Sequence, residues 1–298
     1  MATLEFVPAK TIVTRTKSTA WFGANYNMNI YRGCSHGCIY CDSRSACYGI
    51  ERFDTVRVKE RALEIIRNDL RRKVRTGVIS TGSMSDPYNP LEAVHRYTEN
   101  ALRLIHAYGF GVAVATKSPL VTRDIGLFQD IKEAAPVLVK ITITTADDAL
   151  SQKIEPHAAP SSERFDALHT LHAQGVFCGI LLMPVLPFLE DTDENVLAIV
   201  RRAAECGARF VYPAFGMTMR DVQREYFLSN MERLFPGIRE KYRKAFGTNY
   251  SCTSPRARAL WTIFKKECDQ LGILYKMSDI ISAYKLGYGD SQLSFFPD

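Results

Sequence analysis

The sequence predicts an α/β fold in which parallel strands alternate with helices. Six short runs of four to seven residues are rich in β-branched side chains, and several are almost continuously apolar, as expected of strands buried in a sheet. Segments with the periodicity of an amphipathic helix lie between these runs. Repeated strand-then-helix steps favour a parallel sheet covered by crossover helices, and six of them predict a partial (β/α)6 barrel of the TIM type.

The individual elements follow from where these runs begin and end. The predicted strands are residues 27–31, 78–81, 111–116, 138–144, 177–183 and 210–213. The predicted helices are residues 55–73, 92–108, 122–134, 162–174 and 192–206. Ser161 or Ser162, and Thr192, precede acidic residues and match helix N-cap signals. A glycine follows three of these helices, where a left-handed residue commonly ends a helix: Gly109, Gly175 and Gly207.

The chain beyond residue 215 changes character. Residues 221–235 and 254–271 are helix-like, and no further strand-then-helix step is recognisable there. We therefore expect a barrel over residues 1–215 and a helical C-terminal extension over residues 216–298. The extension is expected to pack on the barrel rather than to fold as an independent domain.

Composition is that of an ordinary globular protein. Of the 298 residues, 46% are apolar and 23% are charged, which is enough to bury a full core. No apolar run approaches the roughly 20 residues that span a bilayer, and the first residues lack the charged start and apolar stretch of a signal peptide. The eight cysteines are therefore expected to be reduced thiols. We expect a cytoplasmic monomer that does not bind membranes.

Basic residues are concentrated in two segments, although the formal net charge is only +6. Residues 57–75 carry eight lysines and arginines, and residues 239–244 carry four. Glu60, Glu64 and Asp69 interleave with the first segment, which favours a solvated helix face. The alternative is attraction to a phosphate backbone or another anionic substrate. Because the net charge is modest, the solvated face is the preferred interpretation.

Three closely spaced cysteines form the most informative local pattern. Cys34, Cys38 and Cys41 have the spacing C-x3-C-x2-C within the segment YRGCSHGCIYCD of residues 31–42. Iron–sulfur clusters are usually held by four cysteines, so a set of three with no obvious fourth implies one exchangeable iron position. The segment follows the first predicted strand, and in parallel barrels the active site gathers at the carboxyl ends of the strands. The pattern therefore predicts a catalytic cluster.

A structural zinc site is the alternative for these cysteines. It would use the three thiolates with either His36 or Cys47 as the fourth ligand. Zinc sites commonly show two C-x2-C-like pairs, and the sequence has no second pair. The spacing and its place after the first strand therefore favour the cluster.

With Tyr40 before the last cysteine, the pattern resembles that of the radical S-adenosylmethionine (SAM) enzymes, and within them the spore photoproduct lyase-like group, also called DNA repair photolyases. Further motifs support the resemblance in order along the chain: SDPYNPLE (85–92), TKSP (116–119), RD (123–124), EP (155–156), SER (162–164) and MPVLP (183–187). The resemblance implies a [4Fe-4S] cluster on the three cysteines, SAM at its open iron, and a reductant such as flavodoxin or ferredoxin. It also implies reductive cleavage of SAM to a 5′-deoxyadenosyl radical that abstracts a substrate hydrogen.

The resemblance also implies SAM contacts after the next strands. Ser85 and Asp86 would hold the amino group of SAM, and Lys117 would hold its carboxylate. Thr142, on the fourth predicted strand, would contact SAM as well. Residue chemistry agrees, because a hydroxyl and a carboxylate accept from an ammonium and a lysine pairs with a carboxylate. Each residue also has a plain structural interpretation, as part of a turn, a solvated loop or a buried strand. Glu155 is either a carboxylate near the ribose of the ligand or a turn residue.

One position departs from the lyase pattern. The lyase has a hydrogen-donor cysteine two residues before the matching serine, and this chain has Ser83 there. An O–H bond is too strong to replace an S–H donor, so Tyr88, Cys47 or Cys252 would have to serve instead. This departure argues against repair of the spore thymine dimer.

The substrate is left open by the sequence. Nucleic-acid lesion repair or modification fits the resemblance and the basic segments, whereas a peptide or small metabolite is equally compatible with the site residues. Two other classes of function are also compatible with the cysteines. One is a zinc-stabilised nucleic-acid-binding protein without catalysis, and the other is a cluster that serves only electron transfer.

Overall fold

A seven-stranded sheet lies at the centre of the molecule, whose computed structural model describes residues 4–288. Over these residues the strands are β1 (Phe6–Val7), β2 (Val13–Arg15), β3 (Tyr26–Met28), β4 (Tyr31–Arg32), β5 (Arg57–Lys59), β6 (Val78–Thr81), β7 (Gly111–Thr116), β8 (Val137–Thr142), β9 (Cys178–Leu182), β10 (Phe210–Pro213), β11 (Gly216–Thr218) and β12 (Ser251–Thr253). The α-helices are α1 (Ala62–Arg71), α2 (Glu92–His95), α3 (Tyr97–Ala107), α4 (Ile125–Lys132), α5 (Asp148–Ile154), α6 (Ser161–Ala173), α7 (Asp193–Glu205), α8 (Asp221–Leu234), α9 (Ile238–Phe246), α10 (Ala257–Leu271) and α11 (Met277–Lys285). Short 3-10 helices cover Asp42–Arg44, Ala46–Tyr48 and Pro119–Asp124.

The strand order of the main sheet is β2-β3-β6-β7-β8-β9-β10. The strands from β3 to β10 in this order are parallel, and β2 joins β3 antiparallel at one edge. At least one helix lies between each pair of consecutive parallel strands in the chain. The edge strands β2 and β10 do not pair with each other within the described residues, so the barrel is open on one side. The predicted class, an α/β partial (β/α)6 barrel, is confirmed.

Side chains alternate along the central strands between two buried faces. Val112 of β7 packs in the large cluster under the covering helices, whereas the next residue, Ala113, joins a cluster inside the barrel. Phe22, from the loop before β3, and Ile280 and Tyr284 of α11 belong to the same inner cluster. The Tyr284 hydroxyl donates to the Phe22 carbonyl at 2.6 Å. The N-terminal loop and the helix α11 therefore fill the interior at the amino ends of the strands.

Part of the predicted helix 55–73 is a strand. Residues Arg57–Lys59 form β5, which pairs with β1 and β4 in a separate three-stranded sheet. Helix α1 begins only at Ala62, after Arg61 in the left-handed conformation (φ 52°). Val58 is buried between two charged residues, an alternation typical of a strand but too short to recognise against the helical pattern that follows. The predicted helix 55–73 is therefore wrong over its first seven residues, 55–61.

Two other predicted helices differ at their first turns. The predicted helix 92–108 is two helices, α2 and α3, because Arg96 between them is left-handed (φ 53°). The beginning of the predicted helix 122–134 belongs to the 3-10 helix Pro119–Asp124. Periodicity identified the apolar face in both cases, but it carries no information on a single residue that leaves the helical conformation.

The two predicted helix N-caps have different outcomes. Thr192 caps α7, since its hydroxyl accepts from the amide of Asn195 at 3.1 Å. Helix α6 begins at Ser161 itself, with Pro160 at the N-cap position and no side-chain cap. The amide of Ser162 donates instead to the carboxylate of Asp148 at 2.8 Å. The prediction of a serine N-cap for α6 is therefore wrong.

The C-terminal part contributes to the core of the barrel. Leu260, Phe264 and Cys268 of α10 are fully buried in the large cluster, and Leu274 forms a parallel bridge with Phe210 at the edge of the sheet. The hairpin β11–β12 was not predicted. The division into residues 1–215 and 216–298 stays a prediction. Within residues 4–288, no helix combines the length and apolar character needed to cross a bilayer.

Candidate active site at the carboxyl ends of the strands

The cysteine loop begins directly after β4, beside the carboxyl ends of the parallel strands. Its first cysteine is fixed by the backbone, because the Cys34 amide donates to the Phe53 carbonyl at 2.8 Å. Gly33 has φ 83°, and a Cβ atom there would collide with the backbone oxygens of Thr55 and Phe53. Glycine is therefore required at the entrance to the loop.

The rest of the loop is held by the end of α5 and by the residues that follow it. The Ile39 amide donates to the Ile154 carbonyl at 3.0 Å, and the His157 amide donates to the His36 carbonyl at 3.0 Å. Gly37 is left-handed (φ 70°), and a Cβ atom there would lie 3.0 Å from the ring of His157. Backbone contacts on both sides therefore hold the cysteines in place.

All three thiols are free and largely withdrawn from solvent. Cys38 is buried, and Cys34 and Cys41 are partly buried. Burial raises the pKa of all three, that of Cys34 to about 11, and the charge of Cys41 raises the pKa of the other two further. The ammonium of Lys117 acts in the opposite direction on Cys38 and Cys41. Because burial and mutual repulsion oppose ionisation, a cationic centre is needed to hold all three as thiolates.

This donor set fits an iron–sulfur cluster. Thiolates are the usual ligands of such clusters, and three of them leave one iron without a protein sulfur. Among residues 4–288, no group of three or more His, Cys, Asp or Glu side chains is placed to bind one metal ion together. The choice between a cluster and a structural zinc on these cysteines stays a prediction.

Asp86 links three elements beside the cysteine loop. Its carboxylate accepts from the hydroxyl of Thr116 at 2.6 Å and from the amides of Lys117 and Tyr88 at 2.8 Å each. Nε2 of His36, on the loop, lies 3.0 Å from the same carboxylate. Burial opposes ionisation, but the charge of His36 and the hydrogen bonds outweigh it and lower the pKa of Asp86 to about 2. These contacts occupy about four acceptor positions, so an incoming ammonium would have to replace one of them.

Ser85 and Lys117 approach the loop from neighbouring strands. Ser85 follows β6, and its hydroxyl donates to the carbonyl of Gly33. Lys117 follows β7, with its Nζ 3.9 Å from a carboxylate oxygen of Glu155 and 5.6 Å from the centre of the Tyr40 ring. The structure thus brings these predicted site residues together at the cysteine loop. Their roles in binding SAM stay predictions.

A buried ion pair lies behind these residues. Glu155 and Arg164 have side chains only 1% exposed, with their charged groups 2.5 Å apart. The Tyr40 hydroxyl donates to the other oxygen of Glu155, and Arg164 donates to the carbonyl of Thr142 at 3.0 Å. Burial opposes ionisation of Glu155, but the charges of Arg164 and Lys117 outweigh it and lower the pKa. The sequence motifs contained both partners but did not reveal that they pair.

Thr142 is buried at the end of β8, and Lys140 lies two residues before it. Residues two apart in a strand share a face, which places both on the interior side. Lys140 is 1% exposed, and its Nζ lies 4.6 Å from the centre of the Phe22 ring. Burial lowers the pKa of Lys140 to about 7. Sequence reasoning missed this residue, although a lysine inside an otherwise apolar predicted strand was a usable signal.

Glu190 is a second buried ionisable group that sequence reasoning missed. It is fully buried, and it accepts hydrogen bonds from the Thr144 hydroxyl at 2.7 Å and the Leu186 amide at 2.8 Å. Burial raises its pKa to about 8 against the effect of these hydrogen bonds. Its only sequence signal was its place shortly after the MPVLP motif.

The candidate hydrogen donors Tyr88, Cys47 and Cys252 lie in different environments. Ser83, at the position of the lyase donor, is exposed, and Cys252 is buried. Tyr88 is 1% exposed, and its hydroxyl donates to the carboxylate of Asp124 at 3.0 Å, inside a buried polar network. Cys47 is exposed, with its sulfur 3.3 Å from Nη1 of Arg220. Accessibility therefore favours Cys47 over Tyr88, and the identity of any donor stays a prediction.

Comparison with known proteins identifies relatives along most of the chain. The family model described as the Radical SAM superfamily matches residues 28–203. An uncharacterized protein of Mycobacterium tuberculosis is 28% identical over 251 residues, which cover 82% of this chain and 74% of that protein. An uncharacterized protein of Methanocaldococcus jannaschii is 34% identical over 174 residues, covering 57% and 64%. The radical SAM Nalpha-GlyT isomerase of Pseudomonas phage M6 is 21% identical over 251 residues, covering 81% and 51%.

Solved structures share the fold. A spore photoproduct lyase mutant with bound AdoMet and dinucleoside spore photoproduct superposes with a TM-score of 0.67 at 13% identity, covering 91% of this chain and 82% of that one. A radical SAM methyltransferase from Kitasatospora setae, solved with tryptophan substrate and a SAM analogue, superposes with a TM-score of 0.57 at 12% identity, covering 90% and 60%. The family-model match contains all three cysteines and more than half of the chain, and this protein therefore belongs to the radical SAM superfamily.

Proposed function

We propose that this protein is a [4Fe-4S]-dependent radical SAM enzyme. The observation that carries the proposal is the placement of three free, largely buried thiols near the ammonium of Lys117 at the carboxyl ends of the strands. Cys34, Cys38 and Cys41 would hold the cluster. When bound, the cluster and SAM supply a 5′-deoxyadenosyl radical that abstracts a hydrogen atom from the substrate.

The protein's own residues provide binding and orientation at this site. Lys117 presents a compact cation to the carboxylate of SAM. Burial opposes its protonation, but the charges of Cys38 and Glu155 outweigh burial and raise its pKa. The Glu155–Arg164 pair holds Tyr40 through the Tyr40 hydroxyl, and the carboxylate of Asp86 contacts the ring of His36. These two carboxylates therefore position the cysteine loop.

We further propose that the substrate is a nucleic acid and that the reaction is a modification rather than repair of the spore thymine dimer. The shared fold with a lyase solved with a dinucleoside spore photoproduct supports the substrate class. The phage relative is named an isomerase, and an isomerisation relocates hydrogen within the substrate without net reduction. Such a reaction needs no separate thiol donor, which agrees with a serine at position 83.

Anaerobic reconstitution with iron and sulfide tests the cluster. We expect about four irons and four sulfides per chain in the wild type and loss of both in Cys41→Ala. Cys47→Ala is the matched control, because it removes a nearby exposed thiol that a zinc site could use. Unchanged iron content in Cys41→Ala, or one zinc with no labile sulfide, would contradict the proposal. A cluster that yields no 5′-deoxyadenosine from SAM under dithionite would leave electron transfer as the function.

Isotope transfer tests the substrate class. Oligonucleotides deuterated at carbon positions are incubated with the reconstituted protein, SAM and reductant, and 5′-deoxyadenosine is analysed by mass spectrometry. We expect deuterium in 5′-deoxyadenosine from the nucleic acid. Transfer only from deuterated peptides or small metabolites would contradict a nucleic-acid substrate while leaving the radical chemistry intact.

We also propose that flavodoxin or ferredoxin is the reductant and that the protein is a monomer. SAM cleavage with each reductant in place of dithionite tests the first point. Light scattering during gel filtration tests the second, with an expected mass near 33.6 kDa.

A further inference from the structure

A concave surface lies at the opposite end of the barrel from the cysteine loop. It has a volume of about 1250 Å³ and includes residues just before β6, β7 and β8, at the amino ends of these strands. We call this surface the N-terminal groove. No aspartate or glutamate is found among its lining residues within the described chain. Six cations line it: Arg15, Lys17, Arg72, Lys73, Arg75 and Lys285.

Within residues 4–288, most cations of the N-terminal groove have no carboxylate partner. Four of its cations are exposed and form no ion pair with any residue of 4–288: Arg15, Lys17, Arg72 and Arg75. The other basic segment, residues 239–244, differs. Arg239 pairs with Glu225 at 2.8 Å and Arg243 pairs with Glu240 at 2.7 Å, as on a solvated helix face. Among the described residues, these four cations of the groove are therefore available to an anionic ligand.

The tertiary structure divides the basic segment 57–75 into two parts. Arg61, near its beginning, pairs with Glu64 on the exposed surface of α1, as the solvated-face interpretation expects. Arg72, Lys73 and Arg75, after α1, turn instead toward the groove. Strand β2 runs antiparallel to β3, and this brings Arg15 to the same end of the barrel. The groove is thus assembled from segments that are distant in sequence.

The size of the groove indicates an extended ligand. Its volume of about 1250 Å³ exceeds the 300–1,000 Å³ typical of small-molecule pockets. From β2 to β8 it crosses four strand spacings, which amounts to about 19 Å. A single phosphate would meet only part of this surface, whereas a chain of regularly spaced phosphates would meet all of it.

We propose that the N-terminal groove binds the phosphodiester backbone of a single-stranded nucleic acid. The four exposed cations would each meet a phosphate, and contacts of this kind hold a strand without reading its sequence. A flexible single strand can follow a concave surface. Duplex DNA, in contrast, stays nearly straight over lengths of up to about 150 base pairs. Single-stranded nucleic acid therefore fits the shape better than a duplex does.

The N-terminal groove is separate from the proposed reaction site. Strand β7 has six residues and spans about 20 Å, with Lys117 after one end and the groove at the other. A strand bound in the groove is therefore anchored away from the reacting atoms. The inference does not rest on the proposed function, because binding can be measured without SAM cleavage.

Salt-dependent binding of a fluorescein-labelled single-stranded oligodeoxynucleotide to the full-length protein tests the proposal. Each phosphate contact contributes about −0.7 to the slope of log K against log salt concentration. The double variant Arg72→Gln/Arg75→Gln should reduce the magnitude of the slope by about 1.4, which weakens binding about 25-fold at roughly 0.1 M salt. The charge-preserving variant Arg72→Lys/Arg75→Lys should retain the wild-type slope.

Matched controls separate the groove from general charge. Lys265→Gln/Lys266→Gln removes two exposed cations of α10 outside the groove and should leave the slope unchanged. Equal losses in the groove variant and in this control would overturn the proposal, as would absence of oligonucleotide binding. Competition by polyglutamate as strong as by unlabelled oligonucleotide would also overturn it and would indicate an acidic protein partner. SAM cleavage without added substrate should be the same in all variants.

Discussion

The two ends of the barrel hold charge in opposite ways. At the carboxyl ends of the strands, Glu155 is buried between Arg164 and Lys117, and Asp86 lies against His36. At the amino ends, four cations of the N-terminal groove are exposed (Arg15, Lys17, Arg72 and Arg75), and the lining residues within the described chain include no carboxylate. One end therefore neutralises its charge internally, while the other leaves it available to a ligand.

The difference follows from burial. A buried charge is costly unless it is paired and hydrogen-bonded, so the residues at the cysteine end form a connected network. Exposed cations remain hydrated and need no internal partner, so they contribute little to stability. We therefore expect substitutions at the cysteine end to affect folding and SAM binding, and substitutions at the groove to affect only the binding of a polyanion.

The largest effect is expected from breaking the buried ion pair. Arg164→Met leaves the buried Glu155 with only the more distant ammonium of Lys117 as a cationic partner, which should lower the free energy of unfolding by about 3 kcal/mol. The control is Arg201→Met, which removes an exposed partner of Glu267 and should cost less than about 1 kcal/mol. Urea unfolding of the full-length protein measures both. Similar losses in the two variants would contradict the contrast between buried and exposed pairs.

The next effect concerns Lys140, inside the barrel between the two ends. Burial lowers its pKa from 10.5 to about 7, so between these values the unfolded state binds a proton that the folded state has lost. Lys140 therefore makes the free energy of unfolding rise with pH between about pH 7 and 10.5. Below about pH 7 the buried amine is protonated, and its desolvation destabilises the folded state by the full amount. Relative to Lys140→Met, the wild type should gain about 2–3 kcal/mol between roughly pH 7.5 and 9.5.

Denaturant titrations at several pH values test this prediction. The exposed Lys265→Gln variant serves as control and should show no pH-dependent difference from the wild type in the same range. If the free energy of unfolding of Lys140→Met changed with pH in the same way as that of the wild type, the amine of Lys140 would not be desolvated.

A smaller effect is expected on SAM affinity. Lys117→Met removes the cation proposed to hold the carboxylate of SAM, and a hydrogen bond to a charged group contributes about 1.5–3 kcal/mol. The Kd for SAM should therefore rise roughly 10- to 150-fold, while iron content stays unchanged. Lys73→Met, at the groove, is the matched control and should leave the Kd unaltered. Equilibrium dialysis with the reconstituted protein distinguishes the two, and equal affinities in both variants would remove Lys117 from the site.

The smallest effect on stability is expected at the groove. Arg72→Gln/Arg75→Gln changes exposed side chains without ion pairs in the described chain, so the free energy of unfolding should change by no more than about 0.5 kcal/mol. Thermal and urea unfolding check this. A large loss would mean that these cations stabilise the barrel, and the contrast between its two ends would fail.

The central strands could be predicted closely from the sequence. The limits of β6, β7 and β10 agree with the predicted runs, because each is a short run dominated by apolar or β-branched side chains, as expected of buried parallel strands. The short strands β1, β2 and β5 could not be predicted. Each has only two or three residues, and its partners are distant in the chain, so no local period identifies it.

The candidate site also combines residues that could be predicted from the sequence with contacts that could not. Three cysteines within eight residues already indicate that they bind one ligand together, so Cys34, Cys38 and Cys41 could be predicted as ligands from the sequence. The pairing of Glu155 with Arg164 could not, because an acid in a loop and an arginine in a helix are ordinary surface residues until the fold buries both. Lys140 was missed although its place in an apolar predicted strand was a signal. What the sequence could not give is its neighbour Phe22, which a distant loop places inside the barrel.

By itself, the sequence determined the α/β class, the alternation of strands with helices along the chain and the three cysteines, since these depend on local periodicity and spacing. Only the tertiary structure decided which charges are paired and which face solvent. The same segment places Arg61 beside Glu64 and Arg72 in the groove, and Arg15 joins Arg72 through the antiparallel pairing of β2. Charge pairing depends on distances in space and on burial, and neither is a property of neighbouring residues in the chain.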